Sequence, residues 1–441
     1  MMDLAQARLR NYLDDLLPQV SLPKQSRKRN SPKEPWTVIL TGSTGSLGTN
    51  ILASLQDLPP SKLRRVYCLN RSEDASQHQA DALARRGHKP LDRARIVFLG
   101  ADFDATAFGL GAATLTTLLA ETTVIIHCAW PVDFLAPLEA FRTHLDRLRD
   151  LCQLAYRCAR QPPLLFLSSL GVAYASDRFH VPEAVPRDFA TISGGYSQSK
   201  YVAERMVQAY ADATSLPAAV LRLGQIAGPV RHPGVWPPRE WFPTMLRASR
   251  HLGYLPDSLG THNLIDWIPL DVAARVVVEV ADYVMVFNSH EAGRFLVFNG
   301  VNPRPVPWAS VLRHLGDVAL ASTGNRAWAE MLRRSAEVDP AGTPGRKLVD
   351  FYANLFEPGR QVFVVEKQNL VAASRTAREL GPVNREWVLR WLEQWGFRHE
   401  RKEAQPQAAR AQQSHLEFQQ GPVYLRAQAS SRGKMEIKAK L

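Results

Sequence analysis

Residues 36–48 (WTVILTGSTGSLG) constrain this 441-residue chain more than any other stretch. Thr37, Val38, Ile39 and Leu40 form a short apolar run rich in β-branched side chains, the pattern of a strand buried on both faces of a parallel sheet. Gly42, Gly45 and Gly48 follow at once, and Leu47, Ile51, Leu52 and Leu55 then recur at helical spacing. Strand, glycine turn and helix in that order aim several backbone N–H groups and a helix N-terminus at one point, a geometry that holds a pyrophosphate. Gly42 is expected to allow the tight turn, Gly45 to let the backbone approach the phosphates, and Gly48 to let the helix pack closely on the sheet. A strand-to-helix turn that holds no ligand is the plainer alternative.

The alternation continues downstream. The pattern predicts strands at 65–69, 95–99, 124–127, 164–167 and 219–223, separated by helices ending near 84, near 115–119 and over 138–156. Strands alternating with helices call for an α/β fold, a Rossmann-type doubly wound parallel sheet. From about residue 231 the alternation gives way to Pro- and Trp-rich loops and short helices near 308–320, 326–334 and 384–395, expected to cap a substrate. Ahead of the sheet, residues 4–19 fit an amphipathic helix and 20–35 a basic linker. The expected organisation is thus 1–35 helix and linker, 36–230 dinucleotide-binding domain, 231–397 smaller helical capping region with strand returns to the sheet, and 398–441 a disordered tail poor in apolar periodicity.

Composition narrows the function classes. An apolar content of 45% with 22% charged residues is that of a globular protein with a sizeable core. The net charge of +12 raises the question of nucleic acid, but much of the surplus sits at the two ends, around Arg27, Lys28, Arg29 and Lys33 and again over 434–440, as in solvated tails. The four cysteines lack metal-ligand spacing and read as reduced packing residues, so neither a metal nor a disulfide framework is expected. Asp14 and Asp15 interrupt the start, unlike a signal peptide. The apolar run 276–287, broken by Glu279 and Asp282, is too short to span a bilayer, and a cytoplasmic protein free of membrane is expected.

Five further positions carry chemistry. The second strand ends in Asn70 and Arg71, where a fold preferring NAD places a carboxylate. A guanidinium there suits a 2′-phosphate, so the cofactor expected is NADPH. Asp102, just past the third strand, is a candidate for the adenine amine or an ordinary turn aspartate. Tyr196 and Lys200 stand four residues apart on a predicted helix and so share a face, where an ammonium can lower a phenol's pKa. Ser169 ends the fifth strand, at the sheet edge where such folds bind ligands, placed to hydrogen-bond a reacting oxygen beside Tyr196. His127 reads as a core histidine of a buried strand. Trp236, Trp241 and Trp267 read as packing, and Trp130 as a possible wall of the substrate channel.

These residues together resemble an extended short-chain dehydrogenase/reductase. The stretches HCAWPVDF (127–134), GYSQSK (195–200), LRLGQIAG (221–228), GVWPPREWFP (234–243), DWIPLDVAA (266–274) and VNPRPVPW (301–308) are similar to the terminal thioester reductase domains of fungal nonribosomal-peptide-synthetase-like and polyketide megasynthases. The resemblance runs from about 36 to 397. It implies reduction of an acyl thioester to an aldehyde by NADPH, with the substrate carried on the phosphopantetheine arm of a carrier protein or on CoA. It gives the catalytic roles to Ser169, Tyr196 and Lys200 and the pyrophosphate to Thr41, Gly42, Ser43, Thr44, Gly45, Ser46 and Leu47, with Gly48 behind them. It implies that Lys200 holds the nicotinamide ribose and biases Tyr196 towards ionisation. Ala129, Gln225 and Ile226 are expected to line the nicotinamide pocket. Arg231 and Arg239 are solvated loop arginines or a seat for an acidic carrier protein. Family domains follow an adenylation or synthase module and a carrier, and this sequence carries neither, so a reductase acting in trans or a fragment is expected. Two alternatives remain: a reductase or epimerase acting on a free ketone, aldehyde or sugar nucleotide, and an inactive nucleotide-binding scaffold.

Overall fold

Seven parallel strands form the centre of the computed structural model, which describes residues 4–16, 34–72, 74–173, 180–186, 192, 194–290, 295–316, 320–355 and 363–397. They are β1 (Trp36–Thr41), β2 (Leu63–Asn70), β3 (Ile96–Gly100), β4 (Val124–His127), β5 (Leu164–Ser169), β6 (Ala218–Leu223) and β7 (Phe295–Gly300). Their order across the sheet is 3-2-1-4-5-6-7, with every neighbouring pair parallel. This is the doubly wound, Rossmann-type sheet expected from the sequence, and its strand order reverses between β1 and β4. Ligands of such sheets sit beyond the carboxyl ends at that switch point.

The alternation of side chains along each strand builds two cores. Val38, Leu40, Val66, Cys68, Ile126 and Leu165 face one layer, where they meet α2 (Ser46–Gln56) and α8 (Leu270–His290). Ile39, Tyr67, Leu69, Ile125, Phe166 and Val220 face the other, against α5 (Arg142–Arg157) and α6 (Gly195–Thr214). Strands covered on both sides have no solvent face, which is why β1 and β4 are buried throughout and their few polar side chains, Thr37, Thr41 and His127, lie inside. The run 276–287 lies inside α8, where Ser374 and Thr376 donate to Glu279 and Lys62 pairs with Asp282, and α8 leads into β7, the return strand whose place the sequence pattern left open. Among the described residues, no helix is long and apolar enough to cross a membrane.

The helices expected to end near 84 and near 115–119 are α3 (Ala75–Arg85) and α4 (Ala112–Glu121), and several other boundaries shift. The helix expected over 138–156 opens with a 3₁₀ turn, Leu138–Phe141, before α5. The N-terminal helix α1 (Leu4–Leu16) buries Leu9 and Leu13 in the α5/α6 core, and Arg142 Nη1 donates to Asp15 Oδ2 at 2.6 Å. The linker over 20–35, apart from Glu34 and Pro35, and the tail over 398–441 lie outside the described residues.

The capping region packs with the sheet in one unit running to Trp395; of the second unit, Gly396–Leu441, only Gly396 and Phe397 are described. The cap holds α7 (Trp241–Leu252), α9 (Trp308–Leu315), α10 (Asn325–Val338) and α11 (Val349–Leu355). Beyond these come α12 (Gln368–Ala373), α13 (Arg375–Glu379) and α14 (Arg385–Gln394). Its core is aromatic: the Trp236 ring lies 5.2 Å from Phe242, 5.5 Å from Trp267 and 5.2 Å from Trp391. Indole N–H groups that enter this core find acceptors, Trp391 Nε1 on Gly228 O and Trp308 Nε1 on Pro256 O. That satisfies the polar end of each ring while its apolar body is buried.

Candidate active site

The glycine turn after β1 is built as its sequence requires. Gly42 adopts φ +71°, and a Cβ there would fall 2.7 Å from Ala129 N. A Cβ on Gly48 would sit 1.9 Å from Gly42 O, so only glycine lets α2 begin this close to the turn. Gly45 is the N-cap of α2 and its N–H donates to Gly42 O at 3.1 Å; no side chain caps the helix. Thr44, Gly45 and Ser46 are exposed at the tip. Two hydroxyls of the stretch are committed elsewhere. Ser43 Oγ donates to Asn70 Oδ1 at 2.9 Å, tying the turn to the end of β2. Thr41 Oγ1 lies 2.7 Å from His127 Nδ1 and also accepts the Ala129 N–H at 3.3 Å, joining β1 to β4 across the switch point.

His127 is a buried histidine, stacked on Phe166 with ring centroids 5.7 Å apart. Burial, helped by the Lys200 charge, pushes its pKa down to about 3, so the ring is neutral. Its Nε2 is buried with no hydrogen-bond partner among the described residues. Arg71 is exposed just past β2. Its charge reaches His144 of α5, whose pKa falls to about 4 through burial and then the charges of Arg147, Arg71 and Lys200. Asp102 is exposed past β3, and its Oδ1 accepts the Asp104 N–H at 3.0 Å, a turn-forming bond that occupies one carboxylate oxygen.

Ser169, Tyr196 and Lys200 come together at the carboxyl end of β5. The Ser169 hydroxyl accepts the Gly171 N–H at 3.2 Å and hydrogen-bonds Tyr196. Tyr196 and Lys200 lie one turn apart on α6, both buried. Lys200 Nζ donates to Leu167 O at 2.7 Å and stands 4.5 Å from the Trp130 ring, 4.6 Å from Phe166 and 5.9 Å from Tyr196. Trp130 is held by its own bond from Nε1 to Ser199 Oγ at 3.3 Å.

The charge states differ from what the four-residue spacing suggests. Burial pushes Tyr196 up to about 12, with the Ser169 bond pulling the other way, and burial pulls Lys200 down to about 7. Adjacency on a helix face brings the two groups close, but desolvation is the largest influence on each. Near neutrality Tyr196 is a proton-bearing donor, and Lys200 is close to its titration point.

Behind the site lies a network that the sequence did not single out. Glu204 and Arg222 are fully buried and paired twice, Nε to Oε1 at 2.9 Å and Nη2 to Oε2 at 2.7 Å. Ser168 Oγ donates to the same Oε1 at 2.7 Å, and Arg222 reaches Pro182 O and Ala184 O at 3.3 and 3.0 Å. The only sequence signal was Glu204 one helical turn beyond Lys200. Gln225 and Ile226 follow β6, whose Leu223 is in register with Ser169. The Gln225 amide is spent on the cap: Oε1 accepts Trp241 Nε1 at 2.6 Å and Nε2 donates to Ile226 O at 2.7 Å. Arg231 lies in a loop whose 230–232 N–H groups all point at Asp271 Oδ2.

Comparison with known proteins adds the following. A family model described as male sterility protein (NAD_binding_4) matches residues 40–277. A carboxylic acid reductase of Neurospora crassa is 32% identical over 406 residues, which take in 89% of this chain and 37% of that protein. The adenylate-forming reductase Nps10 of Heterobasidion annosum is 32% identical over 366 residues, 78% of this chain and 31% of that protein. The chain thus spans about a third of the length of these relatives. Among solved structures, the terminal R domain from the myxalamid PKS-NRPS biosynthetic pathway superposes with a TM-score of 0.72 at 22% identity, over 91% of this chain and 99% of that one. That last likeness is one of fold.

Proposed function

The chain belongs to the NAD-binding male sterility protein family and is an oxidoreductase, and on that premise we propose that it reduces an acyl thioester to an aldehyde with NADPH. The observation that carries this reading is the cluster of Ser169, Tyr196 and Lys200 at the carboxyl edge of β5, on the same sheet edge as the glycine turn.

The residues fit a dinucleotide. The α2 N-terminus has no side-chain cap, Thr44 to Ser46 are open, and Gly42 and Gly48 let the turn close where a Cβ would clash with the backbone of Ala129 and of Gly42. Thr41 through Leu47 would hold the pyrophosphate, mostly by backbone N–H groups because Thr41 and Ser43 are already bonded inward. Arg71 would meet the 2′-phosphate and Asp102 the adenine, while Ala129, Gln225 and Ile226 would border the nicotinamide. When bound, the cofactor supplies a hydride to the substrate's carbonyl carbon.

Ser169 and Tyr196 hold the carbonyl oxygen between two hydroxyls, stabilising the charge that develops there. Tyr196 gives that oxygen its proton, and Lys200 beneath it favours the resulting phenolate. The hemithioacetal then collapses to aldehyde and free thiol. Burial of the cluster removes water that would compete for these bonds. The acyl group arrives on a phosphopantetheine arm of a carrier protein, a partner suggested by the R-domain likeness. Proposed boundaries are 36–230 for cofactor and 231–397 for substrate.

The test is NADPH oxidation with a panel of acyl-pantetheine and acyl-CoA thioesters, products being trapped as oximes. Thioester-dependent oxidation that yields aldehyde, and that falls by about a hundredfold or more in Tyr196→Phe, supports the assignment. Oxidation only with free aldehydes or ketones refutes the thioester reading.

A further inference from the structure

The loop between β4 and α5 carries three large apolar side chains in solvent beside the catalytic tyrosine. Val132 is 69% exposed, Phe134 66% and Leu135 89%. Isolated exposed apolar residues are ordinary, but a contiguous set rimming a site marks a binding surface. Phe134 is continuous with the chemistry: its ring meets Tyr196 edge to face, with centroids 4.9 Å apart. The ledge is preformed. Asp133 Oδ1 accepts the N–H groups of Leu135 and Ala136 at 3.0 and 3.2 Å, locking the turn. The other end is clamped by α6, where a Cβ on Gly195 would come within 2.4 Å of Ala136 O and Leu138 N. Asp133 is the sole charge in 130–138, and its Oδ1 is turned onto the backbone, so the ledge offers a ligand little but apolar surface.

We propose that this ledge is the acyl-chain subsite, and that the substrate's acyl group is apolar, alkyl or aryl, packing on Phe134 and Leu135. The inference rests on the thioester reading above and deepens it. A carbonyl held by Ser169 and Tyr196 puts the first carbons of its acyl chain within reach of the Phe134 ring. The arm that carries the thioester is the same for every substrate, whereas only the acyl side can use a surface of this kind to discriminate.

The experiment measures kcat/KM for straight-chain acyl-pantetheine thioesters of increasing length, all sharing one arm. Wild type is expected to prefer long chains to acetyl by about tenfold or more, since apolar pockets discriminate on that scale. Phe134→Ala and Leu135→Ser are expected to flatten that preference. Leu135 is exposed enough that its replacement does not threaten the fold, and Val338→Ser, 87% exposed on α10, serves as a matched control that keeps the preference. A uniform loss across all lengths means that the ledge grips the common arm and overturns the proposal. An unaltered preference in both variants, or none in wild type, overturns it too. If wild type turns over free alkanals and no thioester, the thioester reading fails by itself, and the same length series run on alkanals decides the ledge.

Discussion

Replacing Glu204 with alanine would strip Arg222 of its carboxylate partner while leaving the guanidinium fully buried. Breaking a buried ion pair from one side costs about 3–5 kcal/mol, because the remaining charge has lost both water and its counter-ion. Arg222 keeps the carbonyls of Pro182 and Ala184, which moderates the loss, while Ser168 is left without its acceptor at a further cost of about 1 kcal/mol. A total of about 4 kcal/mol results. With an unfolding entropy of about 2.1 cal/mol/K per residue over roughly 350 residues, that lowers Tm by about 5 °C. Urea and thermal unfolding, followed by circular dichroism on the full chain, read both quantities. A paired replacement, Glu204→Met with Arg222→Met, removes both charges and is expected to recover most of the loss. A single-variant loss below about 1 kcal/mol, or a double variant no better than Glu204→Ala, would refute the assignment of Arg222 as a charge that depends on Glu204.

Two further outcomes follow from the geometry. Arg71→Ala should raise KM for NADPH by about tenfold or more and leave that for NADH nearly unchanged, since a lost charge-assisted bond is worth about 1.5–3 kcal/mol; equal effects on both cofactors would count against a 2′-phosphate contact. Stability should fall on acidification through the histidines of the site: His127 and His144 have folded-state pKa values of about 3 and about 4 against an ordinary 6.5. Between pH 6.5 and about 4 the unfolded chain therefore binds protons that the folded chain refuses, and the folded state loses ground as pH falls. Urea midpoints compared at about pH 7 and about pH 5 should differ less in His127→Gln and His144→Gln than in wild type, and an unchanged difference would refute that origin.

The sheet was legible because its grammar is local. The runs VIL and VII within β1 and β4 are apolar without alternation, as strands covered on both faces read, and the glycine turn and helical patterns between them tell strand from helix. The glycine turn was legible for the same reason: Gly42 and Gly48 are demanded by contacts within a few residues of themselves and with Ala129. What escaped depends on distant packing. β7 follows a helix and joins β6 only after the chain has traversed part of the cap, so no alternation announces its place. The exposure of Phe134 and Leu135 was equally silent, since an apolar residue in a sequence reads as core until a structure shows it in solvent.

The cluster of Ser169, Tyr196 and Lys200 was readable as a set of positions but not as a set of charges. Ser168 and Ser169 are neighbours of the same type, yet they meet different residues of α6, Ser168 the buried Glu204 and Ser169 the phenol of Tyr196. Nothing in the two letters says which is structural. Spacing likewise put Lys200 beside Tyr196 and so suggested a lowered phenol pKa, whereas burial raises it to about 12 and lowers the lysine to about 7. The sign matters for direction. A site that oxidises an alcohol needs a phenolate to take a proton, while one that reduces a carbonyl needs a phenol to give one. A buried Tyr196 keeps its proton well above neutrality and so can give one. Its bond to Ser169 places that proton beside the hydroxyl with which it would share the carbonyl oxygen. The desolvation that upsets the expectation drawn from spacing thus leaves Tyr196 a hydrogen-bond donor in the resting site.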